Sequence, residues 1–238
     1  MTGASEASKP QDGFRLAALD VPVRIRINPR ARRLILRTDA ATGEIVLILP
    51  SARERKRGLA FAEANIDWIR RQAVRAPETV EFAEGAQIPL LGKPHRIRHV
   101  PEQRSLVAVE ADEIRVAGRA QDLARRVHGW LRVEARRLLV DKTRDAARAL
   151  GVTPAAVTIR DTKSRWGSCS ASGRLSYSWR LVLAPEPVVG YVVTHEVAHL
   201  RELNHGPAFW RIVERLCPDH REHRKWLREH GASLHRYG

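Results

Sequence analysis

Cysteine is nearly missing from these 238 residues: Cys169 and Cys217 are the only two. That excludes a disulfide-stapled scaffold and makes a reducing, cytoplasmic setting the expectation. Aromatic residues reach only 5%, so few rings are available to stack on bases. Methionine occurs once, at Met1. No stretch approaches the roughly 18 consecutive apolar residues of a membrane span, and no Gly-rich phosphate loop occurs. Residues 1–13 hold no apolar run and read as a disordered tail, not as a signal peptide. Acidic residues are outnumbered, 27 against 42 Lys plus Arg, which gives a formal net charge of +15. Such a charge permits attraction to nucleic acid. The arginines are nevertheless scattered in pairs such as Arg125-Arg126 and Arg136-Arg137, as on solvated helix faces.

What is present reads as an α+β protein. Residues 14–118 form a strand-rich N-terminal portion with one helix. Val23, Ile25 and Ile27 alternate with Arg24 and Arg26, the period of a half-buried strand. Further strands are expected at 34–36, 45–49, 88–91, 95–100, 106–109 and 114–116, and one helix over 51–76. Residues 119–238 change character. A long helix is expected up to Leu150, stopped at Gly151. Extended runs at 157–160 and 174–183 follow, joined by a polar loop at 168–173. Helices near 188–203, after Pro207 and after Pro218 complete the chain. No internal repeat is visible.

Residues 195–199 read His-Glu-Val-Ala-His. Positions four apart on a helix differ by about 40° in direction, so both imidazoles face one way. Chance placement of this motif somewhere in a chain of this composition is roughly 3%, so accident is a poor explanation. Two imidazole nitrogens can hold one zinc ion, and Glu196 lies where it can take a proton from the zinc-bound water. Catalytic zinc needs a third protein ligand, and His205 is the first candidate. Six residues of unbroken helix turn by about 240° and would aim His205 away. The chain must therefore break, and Asn204, able to adopt a left-handed cap, followed by Gly206-Pro207, supplies a break. Glu214 and Glu222 are competing third ligands.

Several segments together resemble the YgjP-like metallopeptidase family, zincin-like and related to SprT-like and WLM peptidases. They are Arg165-Trp166-Gly167-Ser168-Cys169-Ser170, Trp179-Arg180-Leu181, residues 191–196, residues 199–205 and residues 206–210. The resemblance implies a zincin-like domain of helices and a small sheet over 119–238. It implies His195, His199 and His205 as metal ligands, Glu196 as general base, and one zinc ion. Gly206 and Ser178 depart from the commonest pattern, at no proposed ligand. A metzincin is disfavoured: position 202 is Glu where Gly is expected, and no methionine is available for a Met-turn.

The leading expectation is thus a zinc-dependent hydrolase, a metallopeptidase with protein or peptide substrates. Two alternatives stand beside it: a metal-dependent nucleotide phosphoanhydride hydrolase, and a DNA-associated protein with a structural zinc. Arg165, Tyr177 and Trp179 are the candidate substrate-binding residues. Arg165 suits an oxyanion, a carboxylate or a phosphate, or else braces the 168–173 turn. Residues 174–183 are read either as a sheet edge for an extended peptide or as a core strand. No membrane association is expected, and the sequence leaves the oligomeric state open.

Overall fold

The computed structural model describes residues 13–16, 21–38, 43–75 and 79–238. The expected 1–13 tail lies outside these apart from Gly13. Two compact units divide the chain, Met1–Glu78 and Thr79–Gly238.

In the first unit, strands β1 (Gly13–Leu16), β2 (Val21–Ile27), β3 (Ile35–Thr38) and β4 (Ile45–Leu49) form one sheet in the order β1-β2-β4-β3. β2 and β4 run parallel, and the outer pairs are antiparallel. Helices α1 (Arg55–Ala64) and α2 (Ile66–Arg75) follow. The single helix expected over 51–76 is interrupted at Asn65, whose side-chain amide donates to the Phe61 carbonyl at 2.8 Å and closes off α1. Val23, Ile25, Ile45, Leu47, Leu49, Ala62 and Ile69 are the buried centre of this unit.

The second unit begins with another four-stranded sheet: β5 (Gln87–Leu90), β6 (Lys93–His99), β7 (Val107–Glu110) and β8 (Glu113–Val116). Its order is β5-β6-β8-β7, again with a central parallel pair and antiparallel outer pairs. The connectivity of the first sheet therefore recurs, a repeat invisible in the sequence because only the hydrogen-bonding pattern is shared. Ile88, Ile97, Ile114 and Val116 bury their side chains in the same core as the long helix α3 (Leu123–Leu150). That is why the compact units part at 78/79, some way before the change of character read at 119.

β7 and β8 join through Ala111-Asp112, and exposed Ala111 sits at φ 52°. A residue with a Cβ pays a steric cost there that glycine does not. Ala111→Gly is expected to stabilise the protein by roughly 0.5–1 kcal/mol, read as a higher midpoint in urea unfolding.

Within α3, buried Leu123, Val127, Leu131, Ala135 and Leu139 recur every four residues, a stripe that holds the helix on the core. Gly151 ends it at φ 68°, as its sequence position predicts. Next comes a three-stranded sheet of β9 (Ala156–Arg160), β10 (Gly167–Cys169) and β11 (Arg174–Ser178). Its order is β10-β11-β9, so β11 is central and β10 is an edge. The 174–183 run is thus a core strand over its first half, and residues 179–183 coil into a 3-10 turn. The sheet edge belongs instead to the polar stretch expected to be a loop. Helices α4 (Glu186–Ala198), α5 (Pro207–Leu216) and α6 (His220–His230) complete the unit.

Buried Arg180 ties the C-terminal end to this sheet. Its Nε donates to Asp161 at 3.1 Å and its Nη1 to the carbonyls of Leu234 (3.5 Å) and Tyr237. Among the described residues no helix is long and apolar enough to cross a membrane.

Candidate metal centre

Val188, Val189, Val192, Val193 and Val197 make α4 a helix of β-branched residues, a poor composition for an isolated helix. Burial overrides that preference, since all five side chains are buried. His195 and Glu196 are therefore held on a rigid, central element. His199 caps α4, with φ −65° and ψ −17°. Past it the chain tightens: Leu200 N–H donates to Val197 O, and Arg201 and Glu202 N–H both donate to Ala198 O. The helix thus breaks at 199, five residues earlier than a left-handed Asn204 would have ended it. Among the described residues Asn204 is not one of the positive-φ positions. The turn before His205 is thus made by a tapering helix end.

The three imidazoles come together. His195 Nε2 and His205 Nε2 lie 3.0 Å apart, near the roughly 3.3 Å that two nitrogens on one tetrahedral zinc would show. The three rings pack with centroids 4.7 to 5.0 Å apart. One ligand atom from each lies within 4.8 Å of the others, a group that could hold a metal ion. Neither Glu214 nor Glu222 joins it among the described residues. The donor chemistry fits as well. His199 Nδ1 lies 3.0 Å from the Glu202 carbonyl, which can only accept, so Nδ1 carries the proton and Nε2 keeps a free lone pair.

Burial, then the neighbouring His199, His205 and Arg224, pushes the His195 pKa down to about 4. Burial and the charges of His199 and Arg224 lower that of His205 too. Neutral imidazole is the form that binds metal.

Phe209 underlies all three rings at centroid distances of 4.5 to 4.9 Å and is fully buried. It stands two residues after Pro207, which opens α5. A proline-started helix just beyond the third histidine is the sequence signal that could have found it.

Glu196 is 7% exposed. Burial pushes its pKa up to about 7, opposed by the positive charge of Arg165. A Cβ on Gly167 would come within 2.5 Å of Glu196 Oε1. Position 167 thus accepts only glycine without displacing the carboxylate. A cleft of about 190 Å³ opens beside them, lined by Trp166, Tyr191, Val192 and Leu227 together with His195 and Glu196.

The other two substrate candidates are corrected. Tyr177 and Trp179 are 1% and 0% exposed. Tyr177 accepts a hydrogen bond from Thr143 on α3 at 3.2 Å, and Trp179 lies under the Arg180 guanidinium at 4.5 Å. Tyr177, at an inward-facing strand position, and Trp179, opening the buried 3-10 turn that follows, carry their rings into the core, where no substrate reaches. Arg165 is exposed, with its charge acting on Glu196.

A family model described as "YgjP-like, metallopeptidase domain" matches residues 32–230. Among solved structures, the chain is similar to the metallopeptidase zymogen of Pyrococcus abyssi abylysin at 26% identity. That alignment covers 38% of this chain and 93% of that one, with a TM-score of 0.35. No curated protein matches.

Proposed function

The chain belongs to the YgjP-like metallopeptidase family, and from that premise we propose a zinc-dependent peptidase with His195, His199 and His205 as ligands and Glu196 as general base. The observation that carries this reading is the convergence of three imidazoles with a buried carboxylate one residue along the same helix. Only three donors make up the group among the described residues, which leaves room for a water as catalytic sites require and structural sites do not. Zinc at this site would polarise the scissile carbonyl and lower the pKa of a water towards about 7.

The chain's own residues supply the rest. Glu196, buried one residue from His195 on the same helix, would accept the water's proton and return it to the leaving amine. Gly167 keeps space for that carboxylate. The free edge of β10 offers backbone hydrogen bonds to an extended peptide running past Glu196. The adjoining cleft accepts a side chain of the substrate.

The test is metal analysis with a screen of unfolded proteins and peptide libraries. Zinc-loaded protein with Glu196 intact that cleaves none of them sinks the proposal. Gly167→Ala gives a sharper result. Its methyl group displaces Glu196, so kcat is expected to fall by roughly 10²-fold. Bound zinc should stay unchanged in the same preparation, because the ligands lie on other residues.

A further inference from the structure

The sheet of β9, β10 and β11 has two unlike faces. Leu175 and Tyr177 point into the core. Alternate residues point the other way: Thr158 and Arg160 from β9, Arg174 and Ser176 from β11, Ser168 from β10. The register sets Thr158, Ser176 and Ser168 in one row across the three strands. This outer face, with Arg165 and the turn after β10, encloses a groove of about 630 Å³.

No carboxylate lines that groove. Arg160, Arg165 and Arg174 are exposed, and none has a side-chain hydrogen bond or ion pair among the described residues. Several α3 arginines are paired instead: Arg137 with Glu134 at 2.9 Å and Arg144 with Asp141 at 3.2 Å. Ser168 and Ser176 likewise keep hydroxyls without a partner among the described residues. Three unpaired guanidinium groups around two free hydroxyls make a receptor for anions.

We propose that this face is a substrate subsite for carboxylates, so that the enzyme selects acidic peptide segments. The proposal rests on the peptidase reading above and names its substrate class. Two features favour a peptide over a nucleic acid. The lining contains no aromatic ring on which a base would stack. The groove also adjoins the edge strand: Ser168 lines it, and the preceding Gly167 packs on Glu196. A phosphodiester chain has no use for a strand edge, whereas an extended peptide pairs with one. In a strand added to β10, every second side chain hangs over the arginines and the others face the Glu196 side. Acidic residues at alternate positions are the matching pattern.

The test uses zinc-loaded full-length protein carrying Glu196→Gln, so that binding is read without turnover. Three fluorescein-labelled probes are compared by anisotropy at about 0.15 M salt: a decapeptide alternating Glu and Val, its counterpart with Gln for Glu, and a ten-residue oligothymidine. The Glu peptide is expected to bind at least about tenfold tighter than the Gln peptide. Adding Arg160→Glu and Arg174→Glu, both at exposed positions and checked by thermal melting, should erase that difference. With Glu196 present, the double reversal should raise KM for the Glu peptide by about tenfold with little change in kcat. Equal binding of the Glu and Gln peptides overturns the subsite. So does tighter binding of oligothymidine that the same double variant abolishes, which would assign the face to nucleic acid. Selective binding of the Glu peptide with no cleavage by the Glu196 protein retains the carboxylate site and overturns the peptidase reading. Cleavage without acidic preference does the reverse.

Discussion

Glu196→Gln is expected to lower kcat/KM for a cleaved peptide by about 10²–10⁴-fold while one zinc per chain stays bound. Gln fills the same space between Gly167 and the cleft but cannot take a proton from water. The imidazoles that make up the metal group are untouched. Retained activity in the zinc-loaded variant would remove Glu196 from the chemistry.

The same substitution has a second effect, visible in the metal-free protein. Burial raises the Glu196 pKa from 4.5 to about 7. Between those values the native state holds a proton that the unfolded chain has released. The associated stabilisation is complete below pH 4.5 and is lost as pH rises through about 7. Gln carries no such group. Metal-free Glu196→Gln should therefore match its parent near pH 4 and exceed it at pH 8, by an amount on the order of 3 kcal/mol. Denaturant titrations at the two pH values check the sign. Bound zinc draws the carboxyl pKa back down, so the gain should shrink in the loaded protein. Activity and stability pull in opposite directions at this one carboxylate.

His205→Ala is expected to take zinc content after dialysis from one per chain to a small fraction, and peptidase activity with it by at least about 10³-fold. Two imidazoles remain, one short of the three protein ligands that catalytic zinc sites use. The histidine is exposed on the segment between α4 and α5, so its loss opens no cavity in the core. The melting temperature of the metal-free protein should accordingly be unchanged. The stabilisation that zinc gives the parent, about 2.7 kcal/mol at a free concentration of 100 Kd, should vanish. Full zinc occupancy in this variant would point to another third ligand and refute the assignment.

Much of the molecule was legible in the chain. The four-residue spacing of α3, its glycine stop and the alternation of Val23 and Ile25 with the arginines of β2 are local patterns that sterics and burial enforce, although the alternation lapses at Ile27, which is exposed. The internal break in the 51–76 helix was not legible. It depends on one Asn side chain closing back on the Phe61 carbonyl, and an Asn in a helical run does not announce that bond. β10 was missed for a related reason. Three residues, Gly-Ser-Cys, have no strand propensity of their own and are extended only because β11 lies beside them.

The sequence alone determined that two imidazoles share one side of a helix, with a carboxylate between them in the chain, and that the helix must end before a third histidine can join. Those facts follow from the fixed geometry of an α-helix. Which face of a strand becomes core was decided only by tertiary packing. It sent Leu175 and Tyr177 inward, left the arginines of the same sheet facing solvent, and brought Gly167 against Glu196. Partners distant in the chain make those choices, and no local pattern encodes their approach.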